Sequence, residues 1–152
     1  MNEDEILAVL CHEFGHWYNS HTLKLVVCVL IQQLFLFWST NQLLNNDYFN
    51  KTLFYQNEPL IIKISYVIYF LNITEIPLGL SNNILSRKYE READIYAVRQ
   101  GYGNELSSAL IKLNKENKGN LSPDYVYSTF YHSHPTLVER MELIDNEMKK
   151  NK

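Results

Sequence analysis

One apolar stretch constrains the fold of this chain more than any other feature of its sequence. Residues 23–38 are apolar except for Lys24, Gln32 and Gln33. A helix over residues 21–38 would be roughly 27 Å long, which is close to the thickness of a bilayer's hydrocarbon core. The stretch therefore predicts a transmembrane helix over 21–38, and the alternative is a buried helix of a soluble protein.

A second apolar stretch runs from Leu60 to Leu80, and polar residues interrupt it. These are Lys63, Ser65, Asn72, Thr74 and Glu75. Polar groups inside a membrane are costly unless they face a cavity or a partner helix. We predict a second transmembrane helix over 60–80, again with a buried soluble helix as the alternative.

Basic residues around the two stretches predict their orientation. Lys24 opens the first stretch, whereas the linker 39–59 holds only Lys51. Three basic residues follow the second stretch, namely Arg87, Lys88 and Arg91. Cytoplasmic flanks of membrane helices are enriched in Lys and Arg. We therefore expect the start of the first stretch and the end of the second in the cytoplasm, and the linker 39–59 on the opposite side of the membrane.

The remainder of the chain also has helical spacing. We predict a helix over 84–100, a second from Asn104 to about Lys118, and a third that begins at Pro135. No strand pattern of comparable strength is present in the sequence. The predicted fold class is therefore all-α, an integral membrane protein whose two transmembrane helices are inserted between two segments of a helical domain.

Charge and cysteine content exclude some functions. The net charge of the 152 residues is −3, so that no basic surplus argues for a nucleic-acid partner. The two cysteines, Cys11 and Cys28, lie in apolar surroundings, and we interpret both as packing residues rather than as a disulfide.

The segment His12-Glu13-Phe14-Gly15-His16 fits the His-Glu-x-x-His motif of zinc peptidases. Residues four apart lie on one face of a helix, so both imidazoles can reach one ion, while Glu13 is turned by about 100° and can hold the attacking water. A chance match in such a sequence has a probability on the order of 0.01. The motif predicts zinc-dependent hydrolysis with Glu13 as the base, against the alternative of two surface histidines.

A hydrolytic zinc site needs a third protein ligand from elsewhere in the chain. Glu90 and Asp94 are candidates, because they too are four residues apart and share one helical face. One carboxylate can bind zinc while the other orients a ligand imidazole. The alternative is that both belong to a solvated charged face.

Three separated motifs together resemble a known family. They are His12 to Trp17 with His21 and Lys24 beyond, Ser86-Arg87 through Glu90 and Asp94, and His134-Pro135 through Glu139-Arg140. In this order they resemble the CaaX prenyl proteases, membrane zinc metalloproteases of peptidase family M48. The resemblance implies one metallopeptidase domain over 1–152, with a zinc-motif helix at 1–20, transmembrane helices at 21–38 and 60–80, and a helical catalytic segment at 82–152.

The resemblance also implies a role for each matching residue. Zinc ligands would be His12, His16 and Glu90, and Glu13 would be the catalytic base. Asp94 would be the outer partner of a ligand histidine, His134 would assist at the oxyanion, and Arg140 would lie near the substrate backbone. His132 is the rival of His134, and a helix-capping role for His134 is the alternative.

The expected function is removal of the C-terminal three residues from prenylated CaaX proteins, with Zn²⁺ as cofactor. The resemblance implies a multi-pass protein of the endoplasmic reticulum membrane, with prenylated substrates and the lipid bilayer as partners. Alternatives are a quality-control zinc protease of the same superfamily and an inert membrane scaffold. Since the family has membrane helices before the zinc motif, we expect this chain to be a fragment that lacks them.

Overall fold

The computed structural model describes residues 1–53, 59–117, 120 and 123–150, and all regular structure in these ranges is helical. The helices are α1 (Glu3–Tyr18), α2 (His21–Asn45), α3 (Asp47–Leu53), α4 (Leu60–Arg99), α5 (Gly103–Glu116), α6 (Tyr125–Tyr131) and α7 (Leu137–Lys150). The predicted all-α fold class is confirmed.

The chain divides into two compact units. The first unit comprises residues 1–25 and 80–152, and the second comprises residues 26–79. Both α2 and α4 contribute residues to each unit. All of the candidate site residues predicted from the sequence belong to the first unit.

Small and branched apolar side chains form the core of the first unit. Its buried members are Ala8, Ala97, Val98, Leu106 and Ile144, which come from α1, α4, α5 and α7. Alanines on α1 and α4 let these two helices approach closely, because an alanine adds only one methyl group to the helix surface. Cys11 packs against this cluster as a free thiol, as predicted.

Apolar side chains dominate α2 and the first half of α4. Both helices are long and apolar enough to cross a membrane, and no residue in their most apolar 18-residue stretches is buried in the structure. Apolar helices that leave their surface uncovered are typical of segments in contact with lipid, and the two helices are candidate membrane spans.

The two helices that contain the candidate membrane spans, α2 and α4, are longer than predicted. The structure extends α2 to Asn45, and α4 runs without a break from Leu60 to Arg99, across the boundary that we predicted near residue 80. Pro77 lies inside α4. A proline removes one backbone hydrogen bond, and Gly79 alone does not stop a helix, so the turns on both sides carry the helix through this point.

Two predicted helix starts are wrong by one or two residues. The first residue of α5 is Gly103 rather than Asn104, and Leu137 rather than Pro135 begins α7. At α7 the Thr136 hydroxyl accepts from the Glu139 amide at 3.3 Å, and the Glu139 carboxylate accepts from the Thr136 amide at 2.7 Å. This capping box makes Thr136 the N-cap, so that Leu137 is the first residue of the helix.

Other ends and two short helices also differ from the prediction. The structure ends α5 at Glu116, while the predicted end at Lys118 lies outside the described residues. Neither α3 nor α6 was predicted. Asp124 caps α6 by accepting from the amides of Val126 and Tyr127, a side-chain signal that the sequence contains but that is weak by itself.

Glu5 joins the start of α1 to α5. Its carboxylate accepts from Ser108 Oγ at 2.6 Å and from Lys112 Nζ at 2.6 and 2.8 Å, and it also caps the Asn2 amide. The Lys112 hydrogen bond is the main reason that the pKa of Glu5 falls from an ordinary 4.5 to about 2, with Ser108 and Asn2 acting in the same direction. These contacts thus connect α1 and α5 at the start of α1.

This arrangement makes the stability of the first unit pH-dependent. A carboxyl whose pKa is lower in the folded state stabilises the fold above its unfolded pKa, and this contribution is lost as pH falls through the folded pKa. We expect the metal-free chain to unfold at a higher temperature than Glu5→Gln at pH 6, and the difference to shrink between pH 4.5 and 2. The exposed Glu142→Gln on α7 is the control, and a difference independent of pH would contradict the prediction.

Candidate metal centre

Helix α1 presents His12 and His16 on one face, as the spacing predicted. Their Nε2 atoms lie 3.2 Å apart. His12 is buried and His16 is partly buried, so this face of the helix is turned inward. Two imidazole nitrogens at such a distance converge on one point, where a cation would replace their direct contact.

Helix α4 brings Glu90 to the same point. Its Oε1 lies 3.3 Å from His16 Nε2, and its Oε2 lies 3.6 Å from His12 Nε2. The potential ligand atoms of the three side chains all lie within 4.8 Å of one another. Of the two carboxylates that the sequence offered, Glu90 is therefore the one beside the metal-facing nitrogens.

Gly15 is the reason that α1 and α4 come so close together. A Cβ atom at this position would lie 3.0 Å from Tyr96 Cβ and 3.1 Å from the backbone Cα of Ala93. Both neighbours belong to α4 and lie within two turns of Glu90 and Asp94. A hydrogen in place of a side chain thus sets the helix separation that the cluster requires.

Gly15→Val is expected to push α1 and α4 apart. Overpacking of this kind typically costs about 1–3 kcal/mol, and here it also separates His16 from Glu90. We expect a lower unfolding temperature and weaker zinc binding, measured by calorimetry and by competition with a chromophoric chelator.

The control for Gly15→Val is Gly79→Ala in α4. A Cβ at Gly79 meets no atom within 4 Å, so the change should be neutral or slightly stabilising. Equal zinc affinity in Gly15→Val and the native chain would contradict the role of the close approach.

Asp94 contacts His12 on the side of the ring that faces away from Glu90, and Arg140 holds Asp94 in place. Asp94 Oδ1 lies 3.0 Å from His12 Nδ1, the nitrogen that faces away from Glu90. Arg140 donates to both oxygens of Asp94, from Nε at 2.8 Å and from Nη2 at 2.6 Å. Because the Asp94 side chain is fully buried, this bidentate pair holds it in one orientation. Arg140 Nη1 also lies 3.4 Å from Glu90.

His134 lies on the solvent-exposed side of the cluster, next to Glu90. Its Nδ1 is 3.2 Å from Glu90 Oε1, while two thirds of its side chain is exposed. The hydrogen bond to Glu90 raises the pKa of His134, against the opposing effect of partial burial. His132, the rival predicted from the sequence, instead packs edge-on against the ring of Tyr127.

Arg87 fixes the segment that carries His134. The buried guanidinium donates to the His134 carbonyl at 3.0 Å and to Ser128 Oγ at 2.8 Å. It also pairs with both oxygens of Glu139, at 2.7 and 2.9 Å. No role in the site was predicted for Arg87 or Glu139, although both lie in the sequence motifs, because their pairing spans 52 residues.

Glu13 lies on the outer side of the motif helix. It is exposed and lines a groove of about 360 Å³ with Leu10, Phe14 and Trp17. It directly follows the candidate ligand His12 in α1, which places it near the cluster. An accessible carboxylate beside the candidate ligands is available to a water molecule or a substrate.

Two residues of the site were missed by reasoning from the sequence. His21 contacts His16 and Glu92, and no role was predicted for His21 or for Glu92. The only signal in the sequence was a third histidine five residues after the motif. Its partner is 71 residues away, which no local spacing predicts.

The donor set suits a zinc ion. Two imidazoles and one carboxylate form the set that hydrolytic zinc sites use when they keep a fourth position open. The outer partners of the histidines also match what metal sites require, because a ligand imidazole donates its second N–H to a neighbouring acceptor. The residues present therefore fit a metal of this class.

The fold and the site together define a class, the helical metallopeptidases of the His-Glu-x-x-His type. The chain belongs to peptidase family M48, whose family model matches residues 1–148. This finding confirms the family resemblance that the three motifs carried.

The chain is similar to curated relatives over nearly its whole length. It is 38% identical to a CAAX prenyl protease 1 homolog of Arabidopsis thaliana, 36% to one of Mus musculus and 33% to CAAX prenyl protease 1 of Saccharomyces cerevisiae. The matches cover 98%, 94% and 97% of this chain but only 35%, 30% and 36% of the relatives. The chain thus spans about a third of the length of these relatives.

A solved structure matches the fold. The crystal structure of S. mikatae Ste24p superposes with a TM-score of 0.77 at 30% sequence identity, covering 92% of this chain and 36% of that one. The agreement in three dimensions supports the helical architecture described above.

Proposed function

We propose that this chain is the catalytic part of a membrane-bound zinc endopeptidase that removes the C-terminal three residues of prenylated CaaX proteins. The observation that carries the proposal is the convergence of His12, His16 and Glu90 within 4.8 Å, in a chain similar to CAAX prenyl proteases. His12, His16 and Glu90 would hold Zn²⁺. Bound zinc would lower the pKa of a water molecule and polarise the scissile carbonyl.

The residues around the cluster supply the remaining chemistry. Glu13 accepts the proton of the attacking water and later passes it to the leaving amine, a role that suits its exposed position beside the ligands. His134 donates to the oxyanion that develops at the scissile carbonyl, which its exposed side chain can approach.

Asp94 and Arg140 hold the cluster in place. Asp94 accepts from His12 Nδ1 and thereby leaves His12 Nε2 free for the ion. The contacts of Arg140 with Asp94 and Glu90 support a role in balancing two buried carboxylates. Contact between Arg140 and the substrate backbone, which the family resemblance implies, stays a prediction.

The location that fits this function is a membrane. We place α2 and the first half of α4 across the bilayer of the endoplasmic reticulum. The start of α2 and the point near residue 80 where the second span ends would face the cytoplasm, because basic residues flank both. The bilayer would then present prenylated chains to the site. The apolar groove of Leu10, Phe14 and Trp17 beside Glu13 suits an apolar substrate segment.

Cleavage of matched peptides tests the proposal. Membranes from cells that express this chain, or a longer product of the same gene, are given a farnesylated CaaX peptide and its unprenylated counterpart. We expect release of a three-residue peptide from the farnesylated substrate only, loss of activity on chelation, and recovery with Zn²⁺.

Two results would support other functions. Equal cleavage of unprenylated, unfolded chains would indicate a quality-control protease. Zinc binding without cleavage of any peptide, in the chain and in the longer product alike, would indicate a membrane scaffold.

A further inference from the structure

His21 is the most completely buried histidine among the described residues, with 1% of its surface exposed. Its ring is stacked on Tyr89, with centroids 4.3 Å apart and planes 8° from parallel. The turn before it has Ser20 in the left-handed region, at φ 55°. This turn folds the start of α2 back onto the last turn of α1, so that His21 reaches His16.

Both ring nitrogens of His21 have partners. Its Nδ1 lies 3.1 Å from His16 Nδ1, and its Nε2 lies 2.9 Å from Glu92 Oε2. His16 in turn directs its Nε2 toward His12 and Glu90. The three side chains form a continuous series of hydrogen bonds from Glu92 to the candidate metal ligand.

The positions of the protons in this series follow from its chemistry. A carboxylate only accepts, so Glu92 requires the proton of a neutral His21 on Nε2. His21 Nδ1 is then an acceptor, and His16 must carry its own proton on Nδ1. The remaining nitrogen of His16, Nε2, keeps its lone pair on the side where His12 and Glu90 converge.

The reverse arrangement would disable the site. If His21 donated from Nδ1, His16 Nδ1 would have to accept, and the proton of a neutral His16 would then occupy Nε2. A protonated Nε2 cannot bind a metal ion. The charge of Glu92 is what selects between the two arrangements.

We propose that Glu92 and His21 are positioning residues that hold His16 in its metal-binding tautomer. This inference rests on the proposed zinc site, and it concerns residues that make no contact with the ion. The two ligand histidines would then differ in the support of their Nδ1 atoms, since His12 Nδ1 contacts the Asp94 carboxylate directly and His16 Nδ1 is linked to the Glu92 carboxylate through His21.

Two variants separate this role from packing. His21→Phe preserves a ring against Tyr89 but removes both hydrogen bonds. Glu92→Gln changes a side chain that is 37% exposed and replaces an obligate acceptor by an amide that also donates. The matched control is Lys88→Met, which removes the 3.7 Å ion pair of Lys88 with Glu92 and leaves the series intact.

The measurements are made on the purified chain in detergent micelles. Zinc affinity is obtained by chelator competition, the coordination geometry by the visible spectrum of the Co²⁺ form, and the histidine tautomers by ¹⁵N NMR. We expect a 10- to 100-fold loss of zinc affinity in both variants, as is typical of lost outer partners of ligand histidines, together with an altered Co²⁺ spectrum. Lys88→Met should match the native chain.

The results distinguish a failure of the positioning role from a failure of the zinc site. Native affinity in both variants, an equal loss in Lys88→Met, or a His16 proton on Nε2 in the native chain would overturn the positioning role alone. Failure of the native chain to bind zinc would overturn the zinc site as well. Should His21→Phe not fold, as judged by circular dichroism, Glu92→Gln decides by itself, because its partly exposed side chain is not needed for packing.

Discussion

Replacement of Glu13 by glutamine is expected to abolish peptidase activity while zinc binding persists. A general base contributes about 10²- to 10⁴-fold to the rate, and glutamine has the same shape but cannot accept the proton of the attacking water. Glu13 is exposed and is not one of the three clustered ligands His12, His16 and Glu90, so the fold and the metal content should not change. Cleavage of a farnesylated CaaX peptide and zinc content are measured side by side.

The control for this change is Glu142→Gln, the same substitution at an exposed position of α7. It should retain the native rate. Peptidase activity of Glu13→Gln within a few-fold of the native protein would mean that Glu13 is not the base. Loss of zinc together with activity would instead show that Glu13 supports the metal site.

Glu90→Gln is expected to remove zinc binding itself. A neutral amide replaces the carboxylate beside the two Nε2 atoms, and it leaves Arg140 Nη1 and His134 without the anionic partner that Glu90 provides. The loss of affinity should exceed the 10- to 100-fold effect of an outer partner, because a direct ligand is removed. Chelator competition on the purified chain measures it.

A series of glutamine variants gives this prediction its control. Glu90→Gln should lose the most affinity, Glu92→Gln should show the smaller loss described above, and the exposed Glu116→Gln on α5 should show none. If Glu90→Gln bound zinc as tightly as the native chain, the third ligand would have to be another group, with Asp94 as the next candidate.

Much of the fold could be predicted from the sequence because its signals are local. The apolar runs that became α2 and the first half of α4 are visible without any partner, since length and hydropathy alone define a candidate span. The length of α4 could not be predicted, because Pro77 and Gly79 are breakers whose effect depends on the turns around them. The start of α7 depended on a reciprocal cap between Thr136 and Glu139.

Part of the candidate site could likewise be predicted from local spacing, and part depended on tertiary packing. Spacing alone placed His12 and His16 on one face of α1, because the helical repeat puts residues four apart side by side. It could not choose between Glu90 and Asp94, which share a face of α4 by the same rule. The packing of α4 on Gly15 makes the choice: Glu90 reaches the Nε2 atoms, and Asp94 reaches His12 Nδ1.

The sequence by itself therefore determined the helical class, the two apolar helices and the motif that supplies two imidazoles and a carboxylate base. Only the tertiary structure decided which groups surround them. It brings Glu90 beside the metal-facing nitrogens and His134, rather than His132, next to Glu90, and it brings His21 and Glu92 to the other side of the His16 ring. The physical reason is the distance along the chain over which each kind of interaction acts. Helical periodicity relates residues within a turn or two, whereas the contact between His21 and Glu92 joins residues 71 apart and exists only after α1, α2 and α4 have packed.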